Sequence, residues 1–278
     1  MENGAGIFDM NENSDLEFKI VSYKRKRRSP NKKGILKPNS STESDIDLEE
    51  AVRRISRAKA EIFTTDLYAS VKASLNEGLE SLGNPQISEI ICLGLGRIGE
   101  CLIARFQLAV LLNLSDQFCS RISVYDPIFS ATDKEILRSF EVEVLNENVE
   151  GKYSINTNKT VLFYMPHCSK QLTNNLLWAN WGLNLGHCVV VSNSFHKIIE
   201  SNSTRHVVEC ANYITKILPY VFEVAIINTF KYYEVFSDMA VHVFPKMNLV
   251  CPDVWENHQE PSYKQNDVEF ISKTVNSL

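Results

Sequence analysis

Two stripes of apolar residues at helical spacing open the ordered-looking part of the chain. Ile46, Ala51, Val52, Ile55, Ala58, Ile62 and Phe63 recur close to a 3.6-residue period behind Ser44-Asp-Ile-Asp47, which reads as a capping box with Asp in the last place. Leu67, Val71, Leu75 and Leu79 form a second stripe from about Thr65, ended by Gly83-Asn84-Pro85. From Ile87 the pattern changes to short apolar runs separated by amphipathic stretches. ISEIICLGL, RISVYD (Arg121–Asp126), FEVEVLN, KTVLFYMPH (Lys159–His167) and HCVVVSNS (His187–Ser194) read as strands. Ile98–Leu112, Thr132–Ser139 and SKQLTNNLLWANWG read as the helices between them. Runs that are apolar at nearly every position, rather than alternating, predict strands buried on both faces of a mostly parallel sheet. Further on, Val207–Lys216 reads as helix, and YVFEVAII and AVHVFP as an antiparallel strand pair extending one edge.

The predicted fold is therefore α/β: a Rossmann-like, mostly parallel sheet flanked by helices, with an N-terminal helical segment and a C-terminal antiparallel strand pair. The boundaries fall at a disordered basic tail (1–43), a helical segment (44–82) that covers or is appended to the body, the Rossmann-like domain (83–250) and a loose polar tail (251–278).

Charge adds a feature that hydropathy does not show. Phe18 to Ser40 holds nine Lys or Arg and no acid, so the rest of the chain, on a total of −5, carries −14. Lys24, Arg25, Lys26, Arg27 and Arg28 form the densest run. It reads either as a solvated tail or as a nuclear-import signal, and it is the one place where nucleic acid has a handle. No apolar stretch approaches the roughly 20 residues of a membrane span. The N-terminus lacks the apolar region of a secretory signal. Seven scattered cysteines, with no CxxC, read as reduced thiols and mostly as small core residues. These features predict a cytoplasmic and nuclear protein.

The candidate chemistry lies in two places. Gly94, Gly96 and Gly99, between a strand and a helix, have the GxGxxG spacing of a dinucleotide-binding loop, and Asp126, at the end of the next strand, stands where a ribose-binding acid belongs. The alternative is a tight turn and nothing more. The second group gathers around the ends of later strands: His167, Asn174, Asn175, Trp178, Asn180, Trp181, Asn193 and Ser194. His167 reads as a base, a haem or metal ligand, or a loop-bracing hydrogen bonder; the tryptophans as packing on the sheet; the asparagines as turn caps. The six histidines lack metal-ligand spacing, so no metal site is predicted.

Six blocks in order, ICLGLGRIGECLIARFQLAVLLNL, VYDPIFSATDKEIL, VEVLNENVEGKYSI, VLFYMPHCSKQLTNNLLWANW, VVVSNSF and EVFSDMAVHVFP, resemble the sensitivity-to-red-light-reduced (SRR-one-like) family of animals, plants and fungi, over roughly Glu89 to Pro245. The resemblance implies a non-enzymatic intracellular regulator with a protein partner. In plants such proteins act in circadian clock input and red-light signalling, in mammals they are linked to clock-gene expression and haem biosynthesis, and in yeast to microtubule-related stability. It brings no catalytic residues with it. The glycine loop keeps open the alternative of a nucleotide- or S-adenosylmethionine-dependent enzyme, with a nucleotide-type ligand or haem as the group bound.

Overall fold

The computed structural model describes residues 47–155, 159–250, 252–256 and 258–272. The basic run Lys24–Arg28 and the capping box at Ser44 lie outside them. The first helix, α1 (Leu48–Phe63), is capped instead by Asp47, whose carboxylate accepts from the Glu49 N–H at 3.0 Å. Thr65 caps α2 (Asp66–Ser81), and Gly83 and Asn84, both at positive φ, turn the chain into β1 (Ile87–Leu93). There follow α3 (Leu102–Phe118), β2 (Arg121–Tyr125), α4 (Ala131–Ser139), β3 (Glu143–Val144), β4 (Thr160–Tyr164), α5 (Lys170–Ala179) and β5 (Cys188–Asn193). The chain continues through α6 (Phe195–Ser201), α7 (Thr204–Cys210), α8 (Asn212–Ile217), β6 (Phe222–Ala225), β7 (Met239–Val243) and the one-turn α9 (Pro252–Trp255).

The seven strands form one sheet in the order β3-β2-β1-β4-β5-β7-β6. β1 to β5 run parallel to one another, and β7 runs antiparallel to both β5 and β6. The antiparallel pair expected at one edge is present, with β7 wedged between β5 and β6.

Successive strand residues supply two cores. Ile90, Cys92, Leu162, Tyr164, Val189 and Val191 point into one, against α1–α4; Ile91, Leu93, Val161, Phe163 and Val190 point into the other, against α5, α7 and α8. This two-sided burial is why the strand sequences are apolar without alternating.

Of the two readings of the N-terminal helices, cover or appendage, the cover holds over the described residues 47–82: Ile55, Ile62, Leu67, Val71 and Leu75 of α1 and α2 belong to the first core. Three elements differ from the sequence reading. α3 starts at Leu102 instead of Ile98, because Gly94–Glu100 make a loop and turn of their own. β3 shrinks to two residues. The single helix expected over Val207–Lys216 breaks at Ala211 (φ −148°), where a side chain from α5 takes the Tyr213 N–H.

Candidate functional site

In a sheet of this order, ligands enter outside the carboxyl ends of the strands where the order reverses, here between β1 and β4. The glycine loop follows β1, and Gly94 and Gly96 take φ of +76° and +74°, conformations that a side chain disfavours. Asp126 follows β2 and comes directly to this loop: its Oδ2 accepts from the Gly96 N–H at 2.7 Å and its Oδ1 from the Ile128 N–H at 3.0 Å. The Gly99 N–H donates to Asp133 Oδ1 at 3.0 Å. Asp133 is almost fully buried and also closes the capping box of α4, accepting from the Ser130 N–H and hydroxyl at 3.0 and 2.9 Å. Two loop N–H groups of the kind that cradle a phosphate in a dinucleotide fold are thus held by the protein's own carboxylates.

Cys168 occupies the crevice between the ends of β1 and β4. Its thiol lies 3.0 Å from the Leu93 carbonyl, and a Cβ placed on Gly94 would stand 2.6 Å from its sulfur. Burial pushes the thiol pKa up to about 12, with the charge of Asp126 adding to the shift. It is a protonated donor at neutral pH and not a nucleophile. Next to it, His167 sits in the left-handed region (φ +54°) with its Nε2 3.2 Å from the Val235 carbonyl, and Asn193 donates to the Cys168 carbonyl at 2.9 Å. These contacts brace the loop after β4.

The remaining positions of the second group do not converge on that edge. Asn180 at the end of α5 accepts from the Ile155 N–H at 2.8 Å and donates to the Tyr153 carbonyl at 2.7 Å, holding the loop before β4. Asn174 accepts from the Tyr213 N–H at 2.7 Å and donates to the Tyr263 hydroxyl at 2.9 Å; Asn175 donates to the Glu150 carbonyl and accepts from the same hydroxyl, both at 2.7 Å. Trp178 and Trp181 pack on the second core, Trp178 beside His258 and Trp181 edge-on to Tyr213 and Trp255. Asn174 and Asn175 therefore join α5 to the C-terminal segment, which is docked over 258–271 rather than loose.

Ser194 leads to a polar cluster that the sequence reading did not assemble. It caps α6, and its hydroxyl donates to Glu223 Oε1 at 2.5 Å. Glu223 Oε2 accepts from the Phe195 N–H at 3.0 Å and lies 3.2 Å from both His242 Nε2 and His196 Nδ1. His242 is fully buried, stacked on Phe195 with ring centroids 3.7 Å apart, and its Nδ1 lies 3.1 Å from the Val190 carbonyl. Burial by itself raises the Glu223 pKa. Hydrogen bonding and charge from His242, then Ser194 and His196, outweigh it and hold the carboxyl down at about 2. Glu223 and His242 face each other in the β6–β7 register. A lone acid in one apolar strand and a lone histidine in the next was the available signal. Because Ser194 bonds to the acid and not to the imidazole, the trio has no nucleophile–base pair; it is a buried hydrogen-bonded clamp between α6 and the β6–β7 edge.

An SRR1 domain model matches residues 61–243. The chain is 32% identical over 234 residues to an SRR1-like protein of Mus musculus, covering 72% of this chain and 93% of that one. It is 27% identical to an SRR1-like protein of Drosophila melanogaster (84% and 83% covered), and 29% identical to the protein SENSITIVITY TO RED LIGHT REDUCED 1 of Arabidopsis thaliana (72% and 80% covered). Among solved structures, a Methanococcus jannaschii fibrillarin pre-rRNA processing protein is similar at 15% identity with a TM-score of 0.35, covering 58% of this chain and 68% of that one, a likeness too distant to weigh further.

Proposed function

Since the chain belongs to the SRR1 family, matched across residues 61–243, we propose that it is a non-enzymatic regulator of a light- or clock-linked pathway that works through a protein partner, in the cytoplasm and the nucleus. The name of the Arabidopsis relative supports the regulatory part of this reading. One observation in the glycine loop carries the non-enzymatic part. The Gly96 and Gly99 N–H groups are bonded to Asp126 and Asp133. A cofactor phosphate entering here would have to displace two carboxylates and then lie beside their charge, which opposes an anion at such short range. The loop is built to tie β1 to β2 and α4. Control of haem biosynthesis is the finer form of the proposal and rests on the family resemblance.

A second reading keeps one observation in its favour: Asp126 stands at the end of β2 beside the β1 glycines, as a ribose-binding acid does. On that reading the protein is a nucleotide- or S-adenosylmethionine-dependent enzyme.

Titrating the purified full chain with NAD(H), NADP(H), S-adenosylmethionine and haem, and following its melting temperature, separates the two readings, because ligand binding raises apparent stability by mass action. The regulator reading expects no shift from the nucleotides or the methyl donor. A saturable shift from one of them that Asp126→Ala abolishes would replace it with the enzyme. A shift with haem alone points to regulation at the level of haem. For the nuclear part, alanine at Lys24–Arg28 in a fluorescent fusion should move the signal to the cytoplasm; an unchanged distribution sinks that part.

A further inference from the structure

The C-terminal segment lies along α5 in the opposite direction, held by anchors. His258 contacts the Trp178 carbonyl at the end of the helix, at 2.8 Å. The Tyr213 hydroxyl donates to the Gln259 carbonyl at 2.6 Å. The Tyr263 hydroxyl sits between Asn174 and Asn175. At the start of the helix, Gln171 donates to the Asp267 carbonyl at 2.6 Å and accepts from the Glu269 N–H at 2.8 Å. One side-chain amide thus grips the backbone of an extended segment at two points, whatever that segment's side chains are. The charges match as well. Lys152 pairs with Glu260 and Lys170 with Glu269.

Three features separate this segment from an ordinary piece of the fold. None of residues 258–272 is buried, whereas Gln171, Asn174 and Asn175 beneath them are. Clefts of about 340 and 960 Å³ remain open beside Tyr263. A segment held mainly by hydrogen bonds and ion pairs, with Tyr263, Val268 and Phe270 only half-buried, opens at lower free energy than the sheet. When it opens, the amide floor it leaves meets water, which satisfies it. Finally, the floor lies inside the matched family domain, which ends at residue 243, and the segment lies outside it.

We infer that the groove over α5 is a receptor for an extended, acidic, tyrosine-bearing peptide of a partner protein, and that residues 258–272 are a tethered occupant which that peptide displaces. Gln171 supplies the backbone grip, Asn174 and Asn175 the tyrosine anchor, and Lys152 and Lys170 the preference for acidic flanks. The inference goes beyond the regulatory reading and holds whichever pathway the protein serves.

The test begins with the full chain carrying a protease site between Glu256 and His258. A labelled synthetic peptide of residues 258–272 is titrated against it by fluorescence anisotropy, before and after cutting. The expected result is saturable binding to the cut chain. Binding to the uncut chain should be at least about tenfold weaker, since a tethered occupant competes at millimolar effective concentration. A peptide with phenylalanine in place of Tyr263 should bind about thirtyfold more weakly, the loss for the two hydrogen bonds to Asn174 and Asn175. Reversing the charges of Glu260 and Glu269 in the peptide should weaken binding further. A cut chain that keeps its melting temperature but takes up no peptide overturns the inference. So does a chain that unfolds on cutting, since the segment would then be integral to the fold. Neither result bears on the cofactor titration, so the two readings fail separately.

Discussion

Gly94 is the residue on which the crevice turns. Its φ of +76° and the Cys168 sulfur 2.6 Å from where a Cβ would stand penalise any side chain twice. Gly94→Ala should destabilise the protein by about 2–4 kcal/mol in chemical denaturation. Adding Cys168→Ala should recover the steric part and leave about 1 kcal/mol of backbone strain. Full additivity of the two substitutions would show that the contact is not the cause. Glu223 makes a prediction of opposite character. With its folded pKa near 2, below the ordinary carboxyl value of 4.5, it stabilises the fold above about pH 4.5, and that contribution fades as pH falls toward 2. Glu223→Gln should lose roughly 2 kcal/mol at neutral pH. The gap to the parent protein should close between about pH 4.5 and 2; a gap independent of pH would remove the ionic account. The glycines and Asp126 could be read from spacing alone. Glu223 and His242 could not be paired, because nothing local says which apolar strands become neighbours.

At the scale of elements, local pattern fixed what each stretch becomes but not where it starts. The glycine spacing predicts a helix from Ile98, and α3 begins four residues later because the Gly99 N–H is claimed by Asp133, 34 positions away. One carboxylate serves both the capping box of α4 and this loop, so Asp133→Ala should cost about 3 kcal/mol, the sum expected for a lost cap and a lost buried bond. Its second signature is faster amide exchange at residues 96–101 as well as at the start of α4; protection lost at α4 alone would mean that the loop holds itself. The break between α7 and α8 has the same kind of origin, the Asn174 amide capturing the Tyr213 N–H. The short α6 was within reach: Ser194 before Phe195-His-Lys-Ile-Ile is an N-cap followed by apolar residues.

For the molecule as a whole, the sheet, its two-sided burial and the antiparallel edge were legible because they follow from hydrophobic runs. The candidate site was only partly so. The positions after β1, β2 and β4 do meet at the switch point, whereas Asn174, Asn175 and Trp178 serve the C-terminal segment instead. Their residue types were suited to binding, and only the path of the chain after Val243 reveals what they bind.

That path has a consequence for how the protein is made. β7 enters the sheet between two strands synthesised before it, so β6 has no partner until Met239–Val243 exists. On the ribosome, β5 must wait with an open edge while the residues between β6 and β7 emerge. Such an edge pairs readily with other chains. A chain that stops short of Met239 should therefore aggregate rather than fold to a smaller domain, and the last strand of the sheet acts as the checkpoint for the nascent protein.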